Sequence, residues 1–159
     1  MKEIILNKLI EKLGASQIEF SEFRNDLSIL LKKEHLLDAA LLLRNDEELK
    51  FDMCKDVTAI DWEKRKNRFT IIYHVYSFKN KFELRLKVNI DEADLAIASL
   101  SGIWKSAEWY ERETFDMYGI RFISHPDLRR VYMPEEFEYY PLRKDFPLLG
   151  IPGSLPLPK

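Results

Sequence analysis

The side chains of this sequence that could do chemistry are few and scattered. His35, His74 and His125 stand too far apart to share metal-ligand spacing. The single cysteine, Cys54, cannot by itself close a disulfide, hold zinc or ligate an iron–sulfur cluster, each of which takes several ligands. It reads as a small buried hydrophobe in a reducing compartment. His125-Pro126-Asp127 sets a base beside a carboxylate, yet without a nucleophile or metal set it reads as a turn, with Asp127 capping the segment after it. Glu111, Glu113 and Asp116 crowd one helical stretch but point around it, a poor acid–base pair. Ser16, Ser99 and Ser101 lack a glycine elbow, and the 5 glycines form neither GxGxxG nor a phosphate loop. These residues lower the expectation of an enzyme acting alone.

Composition narrows the classes further. With 159 residues the chain is one domain able to bury a real core, and 46% hydrophobic against 33% charged residues describes a folded protein rather than a disordered one. A net charge of -2 gives no pull toward nucleic acid or an anionic membrane, and no basic stripe is visible. The start, Met1 to Lys8, carries charges where a signal peptide needs an apolar stretch. The greasiest run, Leu36 to Leu43, is too short to span a bilayer and contains Asp38, so membrane association is expected only through a partner.

The periodicity predicts an α+β fold: a two-layer domain with a mixed, largely antiparallel sheet packed by helices, followed by an extended proline-rich C-terminal tail. Ile5, Leu6, Leu9, Ile10 and Leu13 repeat as in a helix that Gly14 stops. Gln17–Arg24 and Leu27–Leu31 read as two strands, Glu34–Arg44 as a second helix and Val57–Trp62 as a strand. Arg68–Lys79 is rich in β-branched and aromatic residues, and Phe82–Ile90 alternates strictly, with the link at Asn80-Lys81 making a hairpin covered on one face.

Ile103–Tyr118 reads as a third helix closed by Gly119, with Ile103, Ala107, Tyr110, Thr114, Met117 and Tyr118 on the core side. Lys105, Arg112 and Asp116 fall on the opposite face, together with Trp109, which is expected in a partner interface. Glu111 falls at the edge of the apolar stripe, and its expected partner is Arg129 or Arg130.

All 7 prolines lie from Pro126 onward. The segment is expected to be extended, because proline lacks the donor that helices and ladders need. Yet Leu128, Val131, Tyr132, Phe137, Tyr139, Tyr140, Leu142, Phe146, Leu148, Leu149, Leu155 and Leu157 are too apolar to leave in water. Fully extended, about 34 residues reach on the order of 100 Å, beyond the width of such a domain. The expected division is a body over 1–120 and a docking tail over 121–159 that clasps a partner. Pro141-Leu142-Arg143-Lys144-Asp145-Phe146-Pro147 supplies charge-assisted bonds from Arg143 and Asp145 and an apolar anchor in Phe146.

Three blocks in order, Glu111-Arg112-Glu113-Thr114-Phe115-Asp116-Met117-Tyr118-Gly119-Ile120, His125-Pro126-Asp127-Leu128-Arg129-Arg130 and Pro141 to Pro147, resemble the C subunit of respiratory complex I, the proton-pumping NADH:quinone oxidoreductase. Val57-Thr58-Ala59-Ile60-Asp61 and the strand from Tyr73 to Ser77 belong to the same likeness, which covers roughly residues 55–150. The resemblance implies a non-catalytic structural and assembly subunit of the hydrophilic arm, on the cytoplasmic side of the bacterial inner membrane, with no cofactor on this chain. It implies that FMN and iron–sulfur clusters sit in partner subunits, and that the C-terminal stretch packs on the large quinone-site subunit near the iron–sulfur subunits. Ser124 stands where the family commonly has glycine, and the end at Lys159 fits an unfused form.

On that reading Trp109, Glu111, Arg112, Glu113, Asp116, His125, Asp127, Arg129, Arg130, Pro141, Arg143, Lys144, Asp145 and Phe146 are the candidate partner-binding residues. The alternatives are the equivalent subunit of a membrane-bound hydrogenase or of a ferredoxin- or F420-dependent complex, a free-standing adaptor, and a small hydrolase using His125 and Asp127.

Overall fold

The computed structural model describes residues 1–151, so the expectations for Leu155, Leu157 and the last three prolines lie outside the described residues. The chain runs α1 (Lys2–Leu13), β1 (Ile18–Phe23), β2 (Asp26–Leu31), α2 (Leu36–Asn45), β3 (Met53–Asp61), β4 (Phe69–Ser77), β5 (Phe82–Ile90), β6 (Ala96–Ala98), α3 (Ala107–Tyr118) and β7 (Arg121–Ile123). Strands β1 to β5 form one sheet in the order β1-β2-β5-β4-β3. Only the β2–β5 pair is parallel; the other pairs are antiparallel, so the sheet is mixed and largely antiparallel.

Local chemistry explains the turns. Arg24 and Asn25 both have positive φ, 50° and 73°, the backbone that a two-residue hairpin needs to match the twist of β1 and β2. The alternation of β5 puts Leu84, Leu86, Val88 and Ile90 inward, where they meet Leu27, Ile29 and Leu31 of β2 and Ile71, Tyr73 and Val75 of β4. Ile5 and Leu9 of α1 and Leu36, Ala39, Ala40 and Leu43 of α2 join the same core. Each such large side chain contributes about 1.5–3 kcal/mol on leaving water. The outer face of the sheet carries polar pairs, with Arg85 on Asp26, Lys55 on Glu83 and the His74 ring hydrogen-bonded to Glu83.

Three expectations need correction. The hairpin strand β4 stops at Ser77, because Ser77 Oγ donates to Leu49 O and Asn80 to Glu48 O and Leu49 O, which makes 78–81 a four-residue turn. The third helix starts at Ala107 rather than Ile103, because Trp104 is drawn into the core, where its Nε1 donates to Phe51 O at 2.8 Å. Finally, Arg112 and Asp116 do not face solvent: Asp116 is 0% exposed and Arg112 8%. A later part of the chain covers them.

Candidate docking site on the third helix

Helix α3 ends where Gly119 turns left-handed at φ 76, and the chain then makes β7, which pairs in parallel with β6. Ser124 takes φ 66, a conformation that glycine adopts without strain and serine does not. From here the chain doubles back along α3.

His125 fixes the start. Its Nδ1 accepts the N–H of Asp127 at 3.0 Å, so the proton sits on Nε2 and is donated to Glu108 O at 2.9 Å. Asp127 forms a two-pronged pair with Arg129, both distances 2.7 Å, at the surface, and this arginine holds its carboxyl below the usual range.

The next residues lie across the outer side of α3. Arg112 donates to Arg129 O at 3.1 Å and Arg130 O at 3.3 Å, and its guanidinium lies 4.6 Å from the Trp109 ring. Asp116 Oδ2 accepts the N–H groups of Val131, Tyr132 and Met133 at 2.9, 2.7 and 3.0 Å, while Oδ1 takes Arg130 Nη1 at 2.7 Å. Burial works against this carboxylate's charge, but the three N–H groups and Arg130 outweigh it and hold its pKa low. A segment unable to form helix or ladder thus has its backbone satisfied by two side chains one turn apart.

The 140–147 loop is held at a second corner. Arg143 Nε donates to Tyr118 O at 2.7 Å, and its guanidinium lies over Tyr140 at 4.5 Å and Phe69 at 5.3 Å. The N–H of Lys144 donates to Asp61 at 2.8 Å, and Asp145 pairs with Arg68 at 3.0 Å. Arg68 also forks onto Asp61 at 2.9 and 2.8 Å. Burial would raise the Asp61 pKa, yet Arg68 and the N–H groups of Lys144 and Glu63 bring it down to about 2. Gly119 is needed here for space as well as for φ, since a Cβ would meet Tyr140 and Arg143 at 2.7 Å.

Glu111 does not pair with Arg129 or Arg130, which are committed to Asp127 and Asp116. It points the other way, into the body, and accepts from Tyr73 Oη at 3.0 Å, Ser99 Oγ at 2.5 Å and Leu100 N at 2.7 Å. His125 Nε2 lies 4.0 Å away. Burial raises its pKa despite these donors. The Cys54 thiol is pushed up to about 12, chiefly by burial, which makes it a poor nucleophile. Among the described residues no group of three His, Cys, Asp or Glu is placed to hold a metal.

Of the candidate residues, then, Arg112, Asp116, His125, Arg130, Arg143 and Asp145 knit the C-terminal segment to its own body, Arg129 joins them through its carbonyl, and the Asp127–Arg129 pair lies within the segment. Trp109 stays 61% exposed, Glu113 and Phe146 are half-buried, and Pro141 and Lys144 lie in the latched loop. Asp61 and Arg68, which seat that loop, escape a linear reading because they are ordinary strand-end residues far from it in sequence. Their opposite charges across the β3–β4 hairpin are the signal that could have found them. Outward from this assembly face Tyr132, Leu142, Leu148 and Leu149, the last two with no cover at all.

Residues 29–151 match the profile of a family described as "Respiratory-chain NADH dehydrogenase, 30 Kd subunit". The C subunit of the NADH-quinone oxidoreductase of Roseiflexus sp. (strain RS-1) is 43% identical over 91% of this chain and 83% of the relative. Subunits of the same name from Geobacter sulfurreducens (42%; 90% and 88% covered) and Trichlorobacter lovleyi (44%; 95% and 92% covered) are similar to the same degree. Among solved structures, the trypsin-resistant fragment of Nqo5 superposes with a TM-score of 0.68 at 23% identity, over 78% of this chain and 99% of the fragment. A chain of the membrane-bound sulfane sulfur reductase, an archaeal respiratory membrane complex, superposes with a TM-score of 0.73 at 24% identity, over 93% and 86%. At these identities the two structures speak to the fold.

Proposed function

Because the chain belongs to the family of the 30 kDa subunit of respiratory-chain NADH dehydrogenase, as the C subunit of an NADH-quinone oxidoreductase, we propose that it is a docking and assembly subunit whose own residues take no part in the chemistry. One observation carries this reading. The C-terminal segment is fastened to α3 through Arg112 and Asp116, and the face so built leaves Trp109, Tyr132, Leu142, Leu148 and Leu149 in water. Large apolar groups held in place at a surface mark a protein interface.

In this reading the body spans 1–120 and the docking segment 121–159, and the face meets the large quinone-site subunit beside the iron–sulfur subunits. The candidate residues divide the work: Arg112, Asp116, Arg130, Arg143 and Asp145 shape the segment, Glu111 braces α3 against the body, and Trp109 and Phe146 contribute apolar contact. FMN and iron–sulfur clusters on the neighbouring chains carry electrons from NADH toward quinone, and this chain holds those neighbours in register. It rests on the cytoplasmic side of a bacterial inner membrane through the complex; no helix of the described residues is long and apolar enough to cross a membrane.

The test is to tag the full chain in its own cell, extract the membranes in mild detergent and identify what co-purifies. Recovery of the quinone-site, iron–sulfur and flavin-bearing subunits with NADH:quinone activity is expected. A lone monomer would refute the docking role. A complex without a flavin-bearing NADH subunit would favour the second reading, a related membrane complex, with which the fold is shared.

A further inference from the structure

Beside the 140–147 loop lies a groove of about 440 Å³, walled by Tyr139, Tyr140, Phe146 and Pro147, with Glu138 and Asp145 in its lining. Its aromatic wall is fixed from beneath. Phe137 is buried and meets Tyr139 edge-on at 5.6 Å and Phe146 at 6.2 Å. Ring faces in this corner already hold cations: Tyr140 has Arg143 at 4.5 Å and Arg130 at 5.3 Å. Arg143 also lines the groove, but its guanidinium is engaged by Tyr118 O and lies 3.8 Å from Glu92.

The carboxylates are not so engaged. Asp145 gives only Oδ2 to Arg68. Glu138 has no hydrogen-bond or ion-pair partner among the described residues, and exposed Glu135 and Glu136 just before it add negative charge. Immediately after Pro147 come Leu148 and Leu149, 105% and 101% exposed.

We infer that this groove receives an arginine, standing among apolar residues, from the subunit that docks on this face; the step rests on the docking reading above. A guanidinium stacks on an aromatic face as it forms forked bonds to carboxylates, so it can use Tyr139 or Phe146 together with Glu138 and the free oxygen of Asp145. Leu148 and Leu149 meet the apolar residues beside it. A purely apolar occupant would strip Glu138 of water and give it no partner.

The test uses the assembled complex with the full chain. A benzoylphenylalanine in place of Tyr139 is photocross-linked and the adduct mapped by mass spectrometry. An adduct on another subunit directly beside an arginine is expected. An adduct on an acidic or uncharged stretch, or only on residues 152–159 of this chain, overturns the inference. In parallel, Glu138→Lys should lower recovery of the neighbouring subunits about tenfold, since it sets like charges together, while Glu11→Lys on the exposed face of α1 leaves it unchanged. Full recovery with Glu138→Lys overturns the groove alone. Failure of the unsubstituted chain to recover its neighbours overturns the docking reading, and the groove with it.

Discussion

Arg112 and Asp116, one helical turn apart on α3, divide the backbone of a single segment between them: Arg112 serves the carbonyls of Arg129 and Arg130, and Asp116 the N–H groups of Val131, Tyr132 and Met133. The helix is therefore the template on which the C-terminal segment takes its shape. A proline-rich stretch that cannot satisfy its own backbone becomes ordered by borrowing two buried charges.

Asp116→Ala removes the acceptor of three N–H groups and leaves Arg130 without its carboxylate. Breaking a buried charged network of this kind costs about 3–5 kcal/mol. Thermal melts of the purified chain should show a Tm lower by about 10 °C, and an unchanged Tm would mean that the segment does not depend on the helix.

Stability should peak in mild acid. Asp61 and Asp116 have folded-state pKa values below the ordinary 3.8, so their contribution is complete above that value and is lost as the pH falls, for Asp61 toward about 2. Glu111 runs oppositely: its folded pKa lies above 4.5, so its contribution is full below that value and is lost as the pH rises through the folded one. Denaturant titrations across pH should therefore show stability rising from pH 7 into mild acid and collapsing below about pH 4.

Glu111→Gln separates these limbs. The amide oxygen can keep Tyr73 and Leu100 as donors, and the amide nitrogen can donate to Ser99, whose hydroxyl also meets Ser101. Stability at pH 7 should stay within about 1 kcal/mol of the parent or rise, with a flatter profile between neutrality and mild acid. A steep loss at neutrality would show that the charge itself is needed.

Gly119→Ala places a Cβ against Tyr140 and Arg143 and forces a side chain into the left-handed region. The backbone part alone costs about 1–2 kcal/mol. Release of the 140–147 loop should appear as faster trypsin cleavage after Arg143 and Lys144, while the body remains uncut. Ser124→Gly works in the opposite sense: relief of φ 66 outweighs the added chain entropy, for a gain of about 0.5–1 kcal/mol.

Much of this fold is legible in the residues because the sheet is two-sided in its chemistry. Phe82 to Ile90 announces its covered face by strict alternation, and Gly14 and Gly119 mark where helices stop. The 3.6-residue period shows which side of α3 turns away from the sheet, but not that residues 129–133 come back to cover it, so Arg112 and Asp116 read as residues that a partner would meet. For the same reason the linear order of residues points Glu111 to the wrong partner, its true donors Tyr73, Ser99 and Leu100 coming from distant strands and turns. Strands β6 and β7, at three residues each, are too short for any period to show. The resemblance in the three C-terminal blocks marks the site as a region; the side-chain pairs inside it are long-range and emerge only in three dimensions.

The most direct measurement is the ratio of the quinone-site subunit to this chain in complexes purified through a tag on the chain, with Leu148→Asp and Leu149→Asp introduced together. Both residues are wholly exposed, so the variant should melt at the parent temperature. At that unchanged Tm the ratio should fall by about tenfold or more, since two charges would enter an apolar contact. A ratio equal to the parent's would contradict the claim that this face is where the large subunit docks.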